Sequence, residues 1–135
     1  MTLLRQTPDD YLFNLEALTP AESKRLWRER IKENWSEQCA YCGSEEELTL
    51  DHIVPRSLGG LDKTTNVLCA CHDCNQSKGR EEWKLWYEQQ HFYSWERMKS
   101  IEAWMNPDGL IAPELQEDTG RYKAYSRKNV CYANV

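Results

Sequence analysis

The spacing of apolar residues predicts a helix near the start of the chain. Trp27, Ile31 and Trp35 recur every four residues, which places them on one face of a helix. The stretch Thr19-Pro20-Ala21-Glu22 supplies its beginning, with a threonine that can cap the helix, a proline suited to its first turn and a glutamate that can reach back. Residues 1–18 show no firm pattern.

Two further helices are predicted in the second half of the chain, over residues 81–90 and 95–105. Ser94 is placed to cap the second of them. In the first helix, three aromatic residues follow helical spacing: Trp83, Trp86 and Tyr87. Aromatic residues at such spacing more often form core than platforms for nucleic-acid bases, so we expect them to be buried.

Between these helices, two short apolar runs predict strands on either side of a loop. LTLDHIV (48–54) is rich in aliphatic and β-branched residues and is followed by a proline, and NVLCA (66–70) is the second run. The segment 57–65, which contains two consecutive glycines, predicts the loop. A short helix is expected over 71–79, ending at its glycine.

The 135 residues of the chain suit a single domain with a modest core. There is no secretory pattern at the N-terminus and no apolar run long enough to cross a bilayer. We therefore expect a cytoplasmic protein without membrane association, in which the thiols stay reduced. We divide it into an N-terminal helical segment (1–38), a central core (39–80) and C-terminal helices with a basic tail (81–135).

The formal net charge of −5 disfavours a nonspecific coat on nucleic acid, because phosphate binding requires cationic side chains. Each cluster of basic residues is either a solvated surface or a candidate contact with a nucleic-acid backbone. The basic residues are concentrated in three patches: Lys24, Arg25, Arg28, Arg30 and Lys32; Lys78, Arg80 and Lys84; and Arg121, Lys123, Arg127 and Lys128.

Two Cys-x-x-Cys pairs predict a metal site. Cys39 with Cys42, and Cys71 with Cys74, would each grip one ion through two thiolates, and together they complete the tetrahedral sulfur shell that suits Zn²⁺. Four thiolates leave no open coordination position, so we expect this zinc to be structural. The interval 43–70 is longer than in simple zinc ribbons, which indicates that a strand, a loop and a strand are inserted between the pairs.

Other residues near the second pair offer alternative ligands. Cys69 and His72 could compete, but we favour Cys71 with Cys74, because Cys69 would point to the opposite side of a strand from the neighbours of Cys71 in the turn. Cys131 is isolated, and we expect it to bind no metal.

A set of polar residues accompanies His52, one of three histidines in the chain. Asp51 and His52 within DHIVPRSLGG, Asn66 within NVLCAC, and Asn75 with Lys78 within CNQSKG resemble the HNH endonuclease family in order and spacing, in its variant with a four-cysteine zinc. The DHIVP and CNQSKG segments also resemble the HNH domain of RNA-guided CRISPR effector nucleases. The resemblance covers about a third of the chain and does not extend into the flanks.

The resemblance implies an α+β fold of the ββα-metal type, in which an antiparallel pair of strands packs on a helix. It also implies a metal-dependent DNA endonuclease that leaves 5′-phosphate and 3′-hydroxyl ends. By the same resemblance, Asp51 and Asn75 would bind the catalytic Mg²⁺ or Mn²⁺, and His52 would be the general base. Asn66 would orient the ring of His52.

The chemistry of phosphodiester hydrolysis is compatible with these roles. One hard cation with oxygen ligands can neutralise charge on the phosphate, and a neutral imidazole can accept the proton of the attacking water. Arg56 and Lys78 are candidate phosphate clamps, although Arg56 could equally be a surface charge. Since Asp51 and His52 are adjacent, both side chains can reach one site only if the strand ends or bends there.

We therefore predict an endonuclease that acts on DNA by nicking or double-strand cleavage, with homodimerisation as an open question. The alternative is a noncatalytic, zinc-stabilised module that binds nucleic acid. Asp51, His52, Asn66 and Asn75 favour the nuclease, because a binding module has no need of such a set of polar residues.

Overall fold

The computed structural model describes residues 4–107. Their elements are α1 (Pro8–Phe13), α2 (Pro20–Asn34), β1 (Leu48–His52), β2 (Val67–Cys71), α3 (His72–Lys78), α4 (Trp83–Glu88) and α5 (Trp95–Met105). The contacts within the chain divide it into two compact units, Met1–Ile101 and Glu102–Val135, and only residues 102–107 of the second are described. The third basic patch and Cys131 lie outside the described residues.

These elements confirm the α+β class, with a small two-stranded sheet among helices. The helix α1 has no counterpart among the predicted elements. It carries Pro8 in its first turn, and Thr7 and Asp10 form a capping box at its start. Tyr11 is its one buried residue, so the segment has no apolar periodicity that would reveal it. A helix of six residues is not stable by itself, and α1 is supported by packing against α2.

The helix α2 begins where the sequence predicts. Thr19 Oγ1 accepts a hydrogen bond from the backbone N–H of Glu22 (3.1 Å), and the Glu22 carboxylate accepts one from the N–H of Leu18 (2.9 Å) rather than from that of Thr19. Farther along, the indole Nε1 of Trp27 donates to Thr64 Oγ1 (2.9 Å). This buried bond attaches α2 to the loop that connects the two strands.

The strands β1 and β2 form an antiparallel hairpin in a register that places His52 opposite Val67. β1 ends at His52, two residues before the predicted end, because the backbone N–H of Val54 bonds to the side chain of Asn66 instead of to a strand. All five residues of β2 are buried. β2 therefore lies inside the protein, and the loop that connects the two strands begins directly after His52.

The helix α3 follows β2 without an intervening loop and packs on β1, which completes a ββα core. Its Asn75 donates from Nδ2 to Thr49 Oγ1 (2.9 Å) and to the backbone carbonyl of Leu50 (3.2 Å). These bonds fix the helix across the strand, so that side chains from α3 and β1 share one side of the hairpin.

The helices α4 and α5 confirm the two predictions for this region, with α4 shorter at both ends. Ser94 Oγ accepts from the N–H of Arg97 (3.2 Å), as expected for a cap. The aromatic residues of α4 are core residues, and the ring of Trp86 lies edge-on to that of Tyr41 at 5.0 Å. Within residues 4–107, no helix combines the length and apolar character needed to cross a membrane.

Candidate functional site

The four paired cysteines meet at one point between the start of the hairpin and the start of α3. The sulfur atoms of Cys39, Cys42, Cys71 and Cys74 all lie within 4.8 Å of one another, and Cys42 Sγ is 3.7 Å from Cys71 Sγ. Neighbouring sulfurs in a tetrahedral zinc site with Zn–S bonds of about 2.3 Å are about 3.8 Å apart. The four sulfurs are thus arranged to hold a tetrahedral metal ion such as zinc.

Among the described residues, neither of the two alternative ligands, Cys69 and His72, is part of the cluster. Cys69 is fully buried but is not part of the group, and burial raises the pKa of its thiol to about 12. His72 is exposed at the first position of α3 and is also absent from the group. The choice of Cys71 with Cys74 as the second pair therefore agrees with the structure.

Hydrogen bonds among the thiols show why this cluster favours a cation. Hydrogen bonding with the Cys74 thiol lowers the pKa of Cys39 to about 4, and the same bond raises the pKa of Cys74 far above that of an ordinary thiol. Burial raises the pKa of Cys42 to about 11. A divalent ion would supply the positive charge that favours the thiolate form of Cys42 and Cys74.

The turn between the first two cysteines is held from outside by α5. Gly43 has φ +85°, a conformation that favours glycine, and a Cβ there would lie 2.4 Å from Nη2 of Arg97. The Nη1 of Arg97 donates to the backbone carbonyl of Cys39 (3.2 Å). The guanidinium therefore covers the turn closely and fixes its backbone.

A buried chain of hydrogen bonds connects this turn to β1. The hydroxyl of Tyr41 donates to Asp51 Oδ2 (2.8 Å), and Lys78 Nζ donates to Asp51 Oδ1 (3.2 Å) and to the backbone carbonyl of His52 (3.1 Å). Burial raises the pKa of the Asp51 carboxyl, and the neighbouring Lys78 ammonium and Tyr41 hydroxyl oppose that rise. The predicted phosphate clamp Lys78 is here a buried counter-ion of Asp51, while its role toward phosphate stays a prediction.

The two predicted ligands of the catalytic cation lie on the α3 side of β1. Asn75 is bonded to Thr49, which shares a strand face with Asp51, and its amide oxygen accepts no hydrogen bond from the described residues. A carboxylate and an amide oxygen are donors that suit a hard divalent cation, so the donor types fit. Both oxygens of Asp51 already accept hydrogen bonds, however, so a cation would compete with Lys78 for this carboxylate.

The imidazole of His52 faces a carboxylate that the sequence reading overlooked. His52 Nε2 lies 2.7 Å from Asp62 Oδ1, and the two side chains are 23% and 49% exposed. Arg56 Nε lies 3.8 Å from the same oxygen, on a side chain that is 70% exposed. His52 and Arg56 are thus gathered around Asp62, and Asp51 and His52 diverge at the end of β1, where one is buried and the other is partly exposed.

Asn66 acts on the loop backbone rather than on the ring. Its Oδ1 accepts from the N–H of Val54 (2.9 Å), and its Nδ2 donates to the carbonyls of Val54 (3.1 Å) and Leu61 (3.0 Å). Among the described residues, the ring of His52 is bonded by Asp62, the residue that follows Leu61. Any influence of Asn66 on the ring must therefore pass through the loop.

Sequence reasoning missed Asp62 because nothing in the spacing of the motif marks it. It lies ten positions after His52 in a polar loop, where one aspartate is unremarkable. Tyr41 was also overlooked, since a tyrosine within a cysteine turn reads as a core residue. Only the folding of the loop and of the turn reveals what these two side chains contact.

The comparisons with known proteins agree with this geometry. Residues 39–82 match the family described as HNH endonuclease, a range that begins with the first cysteine and ends beyond α3. These residues belong to the HNH endonuclease family. The HNH core thus comprises the four-cysteine cluster, the hairpin and α3. The family match confirms the resemblance seen in the sequence.

A curated relative extends the similarity beyond the HNH core. The CRISPR-associated endonuclease Cas9 of Corynebacterium diphtheriae is 32% identical in an alignment of 101 residues that covers 70% of this chain and 9% of that protein. The chain therefore spans less than a tenth of the length of this relative. The similarity therefore covers more of the chain than the HNH core does.

Proposed function

We propose that the protein is a metal-dependent DNA endonuclease in which His52 is the general base. The observation that carries the proposal is the pairing of the His52 imidazole with Asp62 at the end of the hairpin where the connecting loop begins, while four cysteines brace the other end. A neutral imidazole held in this way can remove a proton from water, because one of its ring nitrogens has a free lone pair.

In the proposed reaction, the chain positions an attacking water against a phosphodiester phosphorus. The nitrogen of His52 that does not face Asp62 takes a proton from the water as its oxygen bonds to phosphorus. The bond from phosphorus to the 3′ oxygen breaks, and that oxygen takes a proton from solvent water to become the 3′-hydroxyl, while the phosphate stays on the other fragment as its 5′-phosphate. Arg56, exposed and beside His52, is placed to contact the phosphate.

Asp51 and Asn75 are the proposed ligands of the catalytic Mg²⁺ or Mn²⁺. When bound, such an ion supplies positive charge that stabilises the phosphate and the departing 3′ oxygen. Zinc in the four-cysteine cluster has a different role, since four sulfur ligands leave no position for substrate. It would hold Tyr41 in place, and through Tyr41 the carboxylate of Asp51.

The exposed basic residues of α2 are proposed to contact the DNA backbone. Lys24 and Arg28 are exposed on the helix that Trp27 attaches to the loop, and Lys24 is near enough to Asp62 to help lower the pKa of that carboxyl. An acidic protein must concentrate positive charge near its substrate, and this helix provides such a concentration beside His52.

The alternative function is a noncatalytic nucleic-acid-binding module stabilised by zinc. It is favoured by one observation, the buried pair of Asp51 and Lys78, which neutralises the carboxylate without a metal ion. In that case Asp51 would serve the fold alone, and the protein would bind DNA without cutting it.

Incubation with supercoiled plasmid in Mg²⁺, Mn²⁺ or chelator distinguishes the two functions. We expect the wild-type protein to produce nicked or linear plasmid with a divalent metal and none with chelator. His52→Ala should abolish cleavage and retain DNA affinity, whereas His91→Ala, which removes an exposed histidine on another segment, should cut normally. DNA binding without cleavage in either metal would favour the alternative, and cleavage by His52→Ala at the wild-type rate would refute the proposed base.

A further inference from the structure

We infer that Asp62 is the positioning residue of His52, holding the ring in the tautomer that leaves Nδ1 free to accept a proton. The inference deepens the proposed function and rests on it, because it assigns a role to Asp62 in the reaction of His52. Neither the HNH motif nor the predicted site includes this aspartate.

The contact itself determines which ring nitrogen carries hydrogen. His52 Nε2 is 2.7 Å from Asp62 Oδ1, a distance typical of a charge-assisted hydrogen bond. An ionised carboxylate can only accept, so Nε2 must be the donor and must carry the hydrogen. In a neutral imidazole the other nitrogen, Nδ1, then has the free lone pair that a general base requires.

Neighbouring residues favour the ionised form of the Asp62 carboxyl. Hydrogen bonding to His52 is the main cause that lowers the pKa of the Asp62 carboxyl, with smaller contributions from Arg56 and Lys24. Asp62 therefore stays ionised at neutral pH. The same carboxylate faces Arg56 Nε at 3.8 Å, so it can hold the imidazole and the guanidinium on one side of the loop.

Contacts within the loop fix the backbone just before Asp62. Asn66 Nδ2 bonds to the carbonyl of Leu61, immediately before Asp62. At Gly60, a Cβ would lie 1.7 Å from the backbone oxygen of Val54 and 2.9 Å from Nδ2 of Asn66, so the chain packs there at a distance that only glycine permits. The loop thus places the Asp62 carboxylate next to Nε2 of His52. This arrangement also accounts for Asn66, which acts on His52 through Asp62.

The test compares three variants of the full chain on a short duplex DNA under steady-state conditions. Asp62→Ala removes the acceptor, Asp62→Asn keeps an acceptor oxygen without the charge, and Glu45→Gln removes one negative charge from an exposed residue elsewhere. We expect Asp62→Ala to lower kcat roughly 10- to 100-fold, by analogy with the loss seen when the hydrogen-bond partner of a metal-bound imidazole is removed, with KM nearly unchanged. Asp62→Asn should recover part of the loss, and Glu45→Gln should match the wild type.

The ring tautomer gives a readout that is independent of cleavage. Long-range ¹H–¹⁵N correlation spectra of the neutral His52 ring should show hydrogen on Nε2 in the wild type and a mixture of tautomers in Asp62→Ala. Melting curves should be similar for both proteins, because Asp62 is half exposed. Wild-type kcat in Asp62→Ala, or an unchanged tautomer, would overturn the inference, whereas the absence of cleavage by the wild type would overturn the proposed function instead.

Discussion

Lys78 Nζ lies 3.2 Å from Asp51 Oδ1, and the two side chains are 0% and 4% exposed. The pair joins the last turn of α3 to β1, and the same ammonium also bonds to the backbone of His52. A charge buried this deeply is tolerated only with its partner, because each ion has lost its hydration. The pair therefore stabilises the ββα core and also fixes the end of β1, where the side chains of Asp51 and His52 diverge.

Lys78→Met should destabilise the protein by about 3–5 kcal/mol, because the substitution leaves the Asp51 carboxylate buried without a counter-ion. Lys63→Met, in the exposed loop, removes a lysine of the same size and should leave the unfolding free energy nearly unchanged. Denaturant unfolding followed by tryptophan fluorescence measures both. Equal stabilities of the two variants would show that the ion pair contributes nothing to the fold.

Divalent metal should partly restore the stability lost in Lys78→Met, because a cation held by Asp51 and Asn75 no longer competes with the ammonium. At a Mn²⁺ concentration ten times the dissociation constant, the expected gain is about 1.4 kcal/mol. The double variant Lys78→Met with Asp51→Asn lacks the carboxylate and should gain much less. Equal gains in stability in the two proteins would show that Asp51 does not bind the metal.

Cys42→Ser should release the metal of the four-cysteine cluster and unfold much of the core, because one of the remaining ligands ends β2 and another lies in the first turn of α3. Zinc content by elemental analysis and a melting curve on the same sample measure the result. Cys69→Ala is the matched control, since it alters a buried thiol that is not part of the cluster. A full zinc complement and an unchanged melting curve in Cys42→Ser would contradict the structural role.

Gly60→Ala should damage cleavage more than Gly59→Ala, although the two glycines are adjacent. A Cβ at Gly60 would collide with the backbone oxygen of Val54, whereas one at Gly59 has no heavy atom within 4 Å. Gly59→Ala still costs about 1–2 kcal/mol, because φ there is +94°. Displacement of the loop by Gly60→Ala moves Asp62 and should reduce kcat on the order of 100-fold. Similar activities in the two variants would show that the loop geometry does not matter for catalysis.

Replacement of Lys24 and Arg28 by glutamine should flatten the salt dependence of DNA binding. Each phosphate contact contributes about 0.9 to the slope of log K against log salt, so the double variant should lose about 1.8. Arg25→Gln is the control, because Arg25 is already near the Glu29 carboxylate at 3.8 Å. Fluorescence anisotropy titrations at several salt concentrations provide the slopes. An unchanged slope in the double variant would show that Lys24 and Arg28 of α2 do not contact the DNA backbone.

Local chemistry explains what could be predicted before the fold was known. A threonine before a proline starts α2, and alternating aliphatic residues form β1. The two cysteine pairs predict their cluster. Each of these features depends on residues that are close in the chain. The helix α1 escaped prediction because it has one buried residue and depends on α2. The roles of Asp51, His52, Asn66 and Asn75 came from a motif and remain predictions.

Residue types and their spacing were enough to predict an α+β chain of modest size and to mark two Cys-x-x-Cys pairs and a histidine beside an aspartate as candidate functional residues. Tertiary structure decided their partners. It paired Asp51 with Lys78 and Tyr41, turned Asn66 toward the loop and brought Asp62 to His52. These contacts join residues that are 5 to 27 positions apart. Such pairings depend on the register of the hairpin and the packing of α3, which no local pattern of side chains encodes.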